Sequence, residues 1–307
     1  MTVLTDLTDA ARTALATVGP ATVAIGRHGR GAGVVVAPNR VLTNAHNLRD
    51  RTTQVTFADG RIDQGRLVGT DADHDVVVLE VDTGDIAPPA WADDVAGIGE
   101  PVFTVVQSPW GDRVTPGFVS GRGRAFRGPR GRRIKGGIEH TAPLARGSSG
   151  SPLVDATGRI VAINTHRLGD GFYLALPADA ELRERVDALA KGDDVRGKRL
   201  GISVVPGPAA ARLRAKVGLP EQAGLLVAGV VAGSPAGAAG VSEGDLVVAV
   251  DGHETPDVDA LWDVLDDAGD TVVLRLVRGT DEREVTLSFA APGEDADSDD
   301  EPDPSGP

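Results

Sequence analysis

The sequence predicts an all-β domain followed by a small α+β module. Two observations carry this. From Thr22 to about Leu176, short apolar runs such as "GVVVA", "QVTFA", "DVVVLEV", "PVFTVV" and "RIVAIN" alternate with Gly, Pro, Asn and Asp. Evenly spaced short strands with turn signals mean a β-barrel or sandwich. After residue 198 the pattern changes to a few strands around a helical stretch within about 90 residues, the signature of a compact mixed module.

Each element follows in order. Residues 1–20, "MTVLTDLTDAARTALATVGP", read as a short amphipathic helix. Asp6 and Asp9 stand where a signal peptide would be apolar, so the expected location is cytoplasmic. The strand-rich stretch makes up the rest of the first domain, 21–192. It closes on the helix "PADAELRERVDALAKG" (177–192), with Leu182, Val186 and Leu189 at helical spacing. Residues 193–198 form a polar linker. The module at 199–290 opens with "RLGISVV" and continues through "GDLVVAVDGHET". It ends on the helix-like "DVDALWDVLDDAG" and the hairpin-like "TVVLRLVRGTDEREVTLSF". Residues 291–307 carry seven of the carboxylates behind a net charge of −14 and no base, and are expected to be disordered.

Composition narrows the chemistry. The 307 residues include no cysteine, which removes disulfides, thiolate metal sites and a Cys nucleophile. Aromatics are only 3% of the chain, so the core must be aliphatic. No apolar run approaches the ~20 residues of a membrane span. No phosphate-binding G-x-x-x-x-G-K-[ST] loop or metal-ligand cluster stands out, so neither a nucleotide nor another cofactor is expected. The run 121–137 holds seven Arg or Lys and no acid. Without an aromatic platform or a binding fold it reads as a solvated basic loop, and nucleic acid is not expected.

The candidate chemistry centres on "ARGSSGSPLV", residues 145–154. A serine hydroxyl becomes a nucleophile when a histidine takes its proton and a carboxylate orients that histidine. Of six histidines, His28 lies in a Gly/Arg turn, His74 between two aspartates and His253 in the second module. His140 and His166 flank the serine segment. His46 ends "VLTNAH", where a strand runs into a turn suited to presenting a side chain. Asp75 opens the apolar strand "DVVVLEV", where a carboxylate is shielded yet reachable. Asp71 and Asp73 are expected to be solvated.

"VLTNAH", "GTDADHDVVVLEV" and "GSSGSPLVDATGRIVAINT" resemble the three catalytic blocks of the chymotrypsin-fold serine proteases, in the order His, Asp, Ser. With "VTPGFVSG", "YLALP" and the second module, the chain over about 20–290 resembles the HtrA/Deg family, protease domains followed by PDZ domains. The resemblance implies a chymotrypsin-type double barrel and a PDZ domain. It makes Ser149 the nucleophile, His46 the general base and Asp75 its orienter. The backbone N–H groups of Gly147 and Ser149 would converge on the oxyanion, and Gly150 would permit the tight turn behind the nucleophile. An α/β-hydrolase elbow would need Gly where Ser151 stands. The chain departs from the family at Ser148, Ser151 and Thr141, where Asn, Gly and Asp are usual. These bear on the pocket and the activation loop rather than on the triad.

No acid lies between Glu139 and Asp155, and the pocket-base position falls on Pro143. A small apolar pocket is therefore expected, with Arg146 and His166 as the alternative for an acidic side chain. In the second module, "RLGISVV" resembles a carboxylate-binding loop with Leu200, Gly201 and Ile202 as backbone donors. Leu261 and Leu265 line the groove or simply pack the core. The implied function is ATP-independent endoproteolysis of unfolded or damaged proteins, with peptide C-termini bound at the second module. The rival is a catalytically silent, chaperone-like peptide binder. By resemblance the family is trimeric.

Overall fold

The computed structural model describes residues 2–107, 111–128, 131–193 and 198–289. The expected disordered tail lies outside them, as do most of the linker and residues 129–130 of the basic run. The chain divides into two compact units, 1–196 and 197–307.

The first unit begins with α1 (Val3–Val18), capped by the Thr2 hydroxyl on the Thr5 N–H. Two closed six-stranded barrels follow. The first comprises β1 (Thr22–Ile25), β2 (Gly31–Ala37), β3 (Arg40–Thr43), β4 (Thr52–Thr56), β5 (Ile62–Asp71) and β6 (Val76–Glu80). The second comprises β7 (Pro101–Val106), β8 (Arg113–Arg127), β9 (Arg133–His140), β10 (Pro152–Val154), β11 (Ile160–Gly169) and β12 (Phe172–Pro177). Closure pairs every strand on both sides and leaves no edge. The unit ends on α2 (Ala180–Lys191), capped by Asp179 and stopped by Gly192 in the left-handed region.

The core is aliphatic, as the composition requires. Val23, Ile25, Val34, Leu42, Val78 and Leu79 fill the first barrel, and Leu182, Val186 and Leu189 of α2 join the same cluster. The basic run lies mostly on the β8–β9 hairpin, and part of it is not solvated. Arg132 is 3% exposed and pairs with Asp73 at 3.5 Å.

In the second unit one sheet runs in the order β13 (Ile202–Val205), β14 (Leu225–Val230), β15 (Leu246–Val250), β17 (Thr271–Arg278), β18 (Asp281–Ser288), with β16 (His253–Glu254) pairing β15. Three helices accompany it: α3 (Gly207–Lys216), α4 (Pro235–Ala238) and α5 (Val258–Asp267). The helix α3 was not expected from the sequence. Its "GPAAARLRAK" has little amphipathic contrast, and Ala210 is its main apolar anchor, fully buried beside Leu246 and Val277. Among the described residues no helix is long and apolar enough to cross a membrane.

Candidate functional site

His46 and Asp75 meet because β3 and β6 are neighbours. Thr43 lies opposite Val77, so the turn after β3 faces the turn before β6. The Asp75 carbonyl accepts from Ala45 N (3.1 Å) and Asn44 Nδ2 (2.9 Å), which clamps the two turns together. His46 stands in a 3₁₀ turn, Ala45–Asn47. Its Nδ1 lies 2.7 Å from Asp75 Oδ2, and its backbone N–H donates to Asp75 Oδ1 at 3.0 Å. A carboxylate only accepts, so Nδ1 carries the proton and Nε2 is left as the base. Asp75 is fully buried, whereas the His46 side chain is 30% exposed.

The serine segment joins β9 to β10 and is fixed against the first barrel. The Ser149 carbonyl accepts from Ala32 N and Asn47 Nδ2, each at 2.8 Å. Gly147 has φ +83°, and a Cβ there would sit 2.2 Å from the Gly29 carbonyl oxygen, so only glycine fits. Within the described protein, the N–H groups of Gly147 and Ser149 donate to no acceptor. Ser148 and Ser151 are both buried, and Ser151 Oγ accepts from Asn164 Nδ2 at 3.0 Å. Neither competes with Ser149. The Ser149 hydroxyl donates to the Thr165 carbonyl at 2.8 Å and not to His46. Ser149 is thus tied to Thr165, whose own hydroxyl reaches Asp75, rather than bonded to His46 directly.

Thr165, on β11, is a member of the site that the sequence reading passed over, although it closes the serine block. Its hydroxyl donates to Asp75 Oδ2 at 2.9 Å. Asn47 was also passed over. Its place one residue after His46 was the available signal, and its partner Ser149 is 102 residues away.

One expectation is overturned. Asp71 and Asp73 are not solvated; they are 1% and 4% exposed. Asp71 Oδ1 accepts from the backbone N–H of Asp73 and of His74, each at 3.1 Å. Asp71 Oδ2 lies 2.8 Å from His74 Nδ1 and pairs with Arg185 of α2. Burial pushes the Asp71 carboxyl up, but the His74 hydrogen bond and the charges of His74 and Arg185 outweigh it and hold it low.

Of the pocket residues, Pro143 and Arg146 are exposed, and the Pro143 carbonyl accepts from Thr115 Oγ1 at 2.9 Å. Nothing bonds Arg146 to His166, which instead lies between the rings of Phe126 (5.3 Å) and His46 (5.5 Å). His140 is buried in the second barrel, stacked on Tyr173, with neither ring nitrogen hydrogen-bonded. Desolvation lowers its pKa to about 4.

In the second unit a groove of about 710 Å³ runs between β13 and α5. Leu200, Gly201, Ile202, Leu261, Trp262 and Leu265 are among its lining residues. Leu261 and Leu265 also belong to the module's core, so the two readings of these leucines both hold. Gly201 has φ +78°, and a Cβ there would lie 2.1 Å from that of Ser234. The backbone N–H groups of Leu200 and Gly201 are unclaimed among the described residues, and β13 is an edge strand.

Known proteins resemble this chain over both units. Residues 31–163 match the model of the trypsin-like peptidase domain, and residues 226–279 that of the PDZ domain. The putative serine protease HhoA of Synechocystis is 31% identical over 281 residues, covering 85% of this chain and 71% of the relative. A probable periplasmic serine endoprotease DegP-like of Bartonella henselae is 30% identical over 83% of this chain, which spans only 52% of that relative. Among solved structures, the HtrA-type protease AlgWS227A with tripeptide superposes with a TM-score of 0.64 at 26% identity, covering 91% of this chain and 96% of that one. With its double barrel, its PDZ module and these relatives, the chain belongs to the HtrA-type family of serine proteases.

Proposed function

We propose that the chain is an ATP-independent endoprotease in which Ser149, His46 and Asp75 form the catalytic triad. The observation that supports this reading is the 2.7 Å bond from His46 Nδ1 to Asp75, which leaves Nε2 available as a base. On substrate binding, the Ser149 hydroxyl leaves the Thr165 carbonyl and gives its proton to His46 Nε2 as Oγ attacks the scissile carbonyl. The tetrahedral oxyanion is received by the Gly147 and Ser149 N–H groups, an interaction worth about 3 kcal/mol per donor. His46 then protonates the leaving amine, and a water repeats the sequence on the acyl-enzyme.

The absence of a carboxylate from 140–154 argues for a small apolar P1 side chain beside Pro143, with Arg146 at its exposed rim. In the second unit, the unclaimed N–H groups of Leu200 and Gly201 would receive a peptide C-terminus, and the edge of β13 would pair with the chain before it. Unfolded polypeptides, which offer both an extended scissile segment and a free end, are the substrate class that fits. Ser149→Ala should abolish casein hydrolysis and fluorophosphonate labelling with thermal stability nearly unchanged. Retained hydrolysis in that variant would overturn the assignment. A wild-type chain that binds peptides but takes no label would favour a silent binder instead.

A further inference from the structure

His166 sits one residue beyond Thr165, and its Nδ1 lies 2.7 Å from the Thr165 hydroxyl oxygen. That same oxygen is 2.9 Å from Asp75 Oδ2. The hydroxyl has one proton. If it were given to His166, two oxygens with only lone pairs would face each other at the buried carboxylate, which is costly at such depth. The proton therefore goes to Asp75, and the hydroxyl accepts from His166 Nδ1–H. A directed chain results: His166 to Thr165 to Asp75, with His46 donating to the same carboxylate oxygen.

We infer that His166 is a positioning residue for the catalytic histidine, its Nδ1–H holding the Thr165 hydroxyl in the rotamer that donates to Asp75 and so fixing the carboxylate that orients His46. This rests on the triad reading above and differs from a pocket role. The ionisable groups facing His166 are Asp75, from the turn before β6, and His46; β8 contributes the apolar ring of Phe126. Burial disfavours a charged His166 ring more than Asp75 favours it, and charge on His46 adds to the disfavour. His166 thus acts as a neutral donor.

Asn and Gln separate donor from bulk, since an Asn amide can occupy the Nδ1 position and a Gln amide reaches only the Nε2 position. The measurement is the fluorophosphonate labelling rate of Ser149 against pH, because this small probe does not use the extended substrate pocket. His166→Gln and His166→Phe should label about tenfold more slowly at neutral pH, and His166→Asn within about twofold of wild type. With the Thr165 hydroxyl no longer held by residue 166, the Asp75 carboxylate is less firmly fixed and orients His46 less well.

In a Thr165→Val background, adding His166→Gln should cost nothing more, because the route is already cut. Thermal melts check that each variant is folded; the Gln and Asn pair carries the test if Phe is not. Wild-type labelling in His166→Gln with only casein cleavage reduced would make His166 a pocket residue and overturn the inference. So would Asn as slow as Gln, or additive losses in the double variant. Those results leave the triad standing, whereas a wild-type chain that takes no label removes both.

Discussion

Asp75 holds the site's central charge at φ +60°, a conformation that a non-glycine residue keeps only where its surroundings insist on it. Three donors converge on its carboxylate: the His46 ring, the His46 backbone and Thr165. Asp75→Asn should fold, because the amide is isosteric and its carbonyl clamp to Ala45 and Asn44 survives. Its side-chain N–H would face His46 Nδ1 and force the wrong tautomer, lowering kcat by roughly 10⁴-fold. Loss of folding rather than of rate, read by circular dichroism, would make Asp75 a structural residue. His140 offers the opposite case, a buried ring stacked on Tyr173 with no carboxylate bonded to it. Its folded pKa of about 4 lies below the ordinary imidazole value of 6.5, so the native state resists protonation while the unfolded chain accepts it. Stability is then full above pH 6.5 and is lost as pH falls from there to about 4, by up to about 3 kcal/mol. His140→Phe should flatten that decline in urea titrations at successive pH values. An unchanged slope would mean that His140 is not kept neutral.

At the scale of elements, the turn from β5 to β6 shows what a sequence can and cannot reveal. The strands themselves were legible, since "DVVVLEV" carries an unbroken apolar run and β6 is buried along Val76–Leu79. The candidacy of Asp75 rested on its place at the mouth of that strand, and the structure puts it there, buried and bonded to His46. The burial of Asp71 did not follow, because the group that neutralises it is Arg185, 114 residues away on α2. Asp73 is likewise matched by Arg132 of the β8–β9 hairpin. A charge reads as solvated until its distant partner is known. The α2 helix was read correctly from its leucines, yet its polar face reaches into the neighbourhood of the site. Asp71→Asn should therefore do more than a surface change: about 3 kcal/mol of stability lost, as for other broken buried pairs, and a slower rate at an undisturbed Ser149. Wild-type values of both melting temperature and labelling rate would return Asp71 to the solvated class. The α3 helix escaped notice for a different reason, having too few apolar residues for a period to register.

At the scale of the whole molecule, each unit carries its own core, so the proposed catalysis and the proposed end-recognition should be separable. All of His46, Asp75, Ser149, Thr165 and the two oxyanion donors lie before Gly192. A chain ending there should keep its fluorophosphonate labelling rate and still cleave a short chromogenic peptide. Its activity on full-length unfolded casein should fall several-fold. A substrate end held at Leu200, Gly201 and the β13 edge would raise the effective concentration of the remainder at Ser149, an advantage that tethering can carry to about 10²-fold or beyond. Gly201→Ala tests the same idea in the intact chain, since the added Cβ collides with Ser234 and the donor loop must shift. The Gly201 variant and the truncated chain should then lose casein cleavage in parallel while short-peptide cleavage is spared. Equal losses on both substrates would mean that the second unit stabilises the first rather than gathering its substrate.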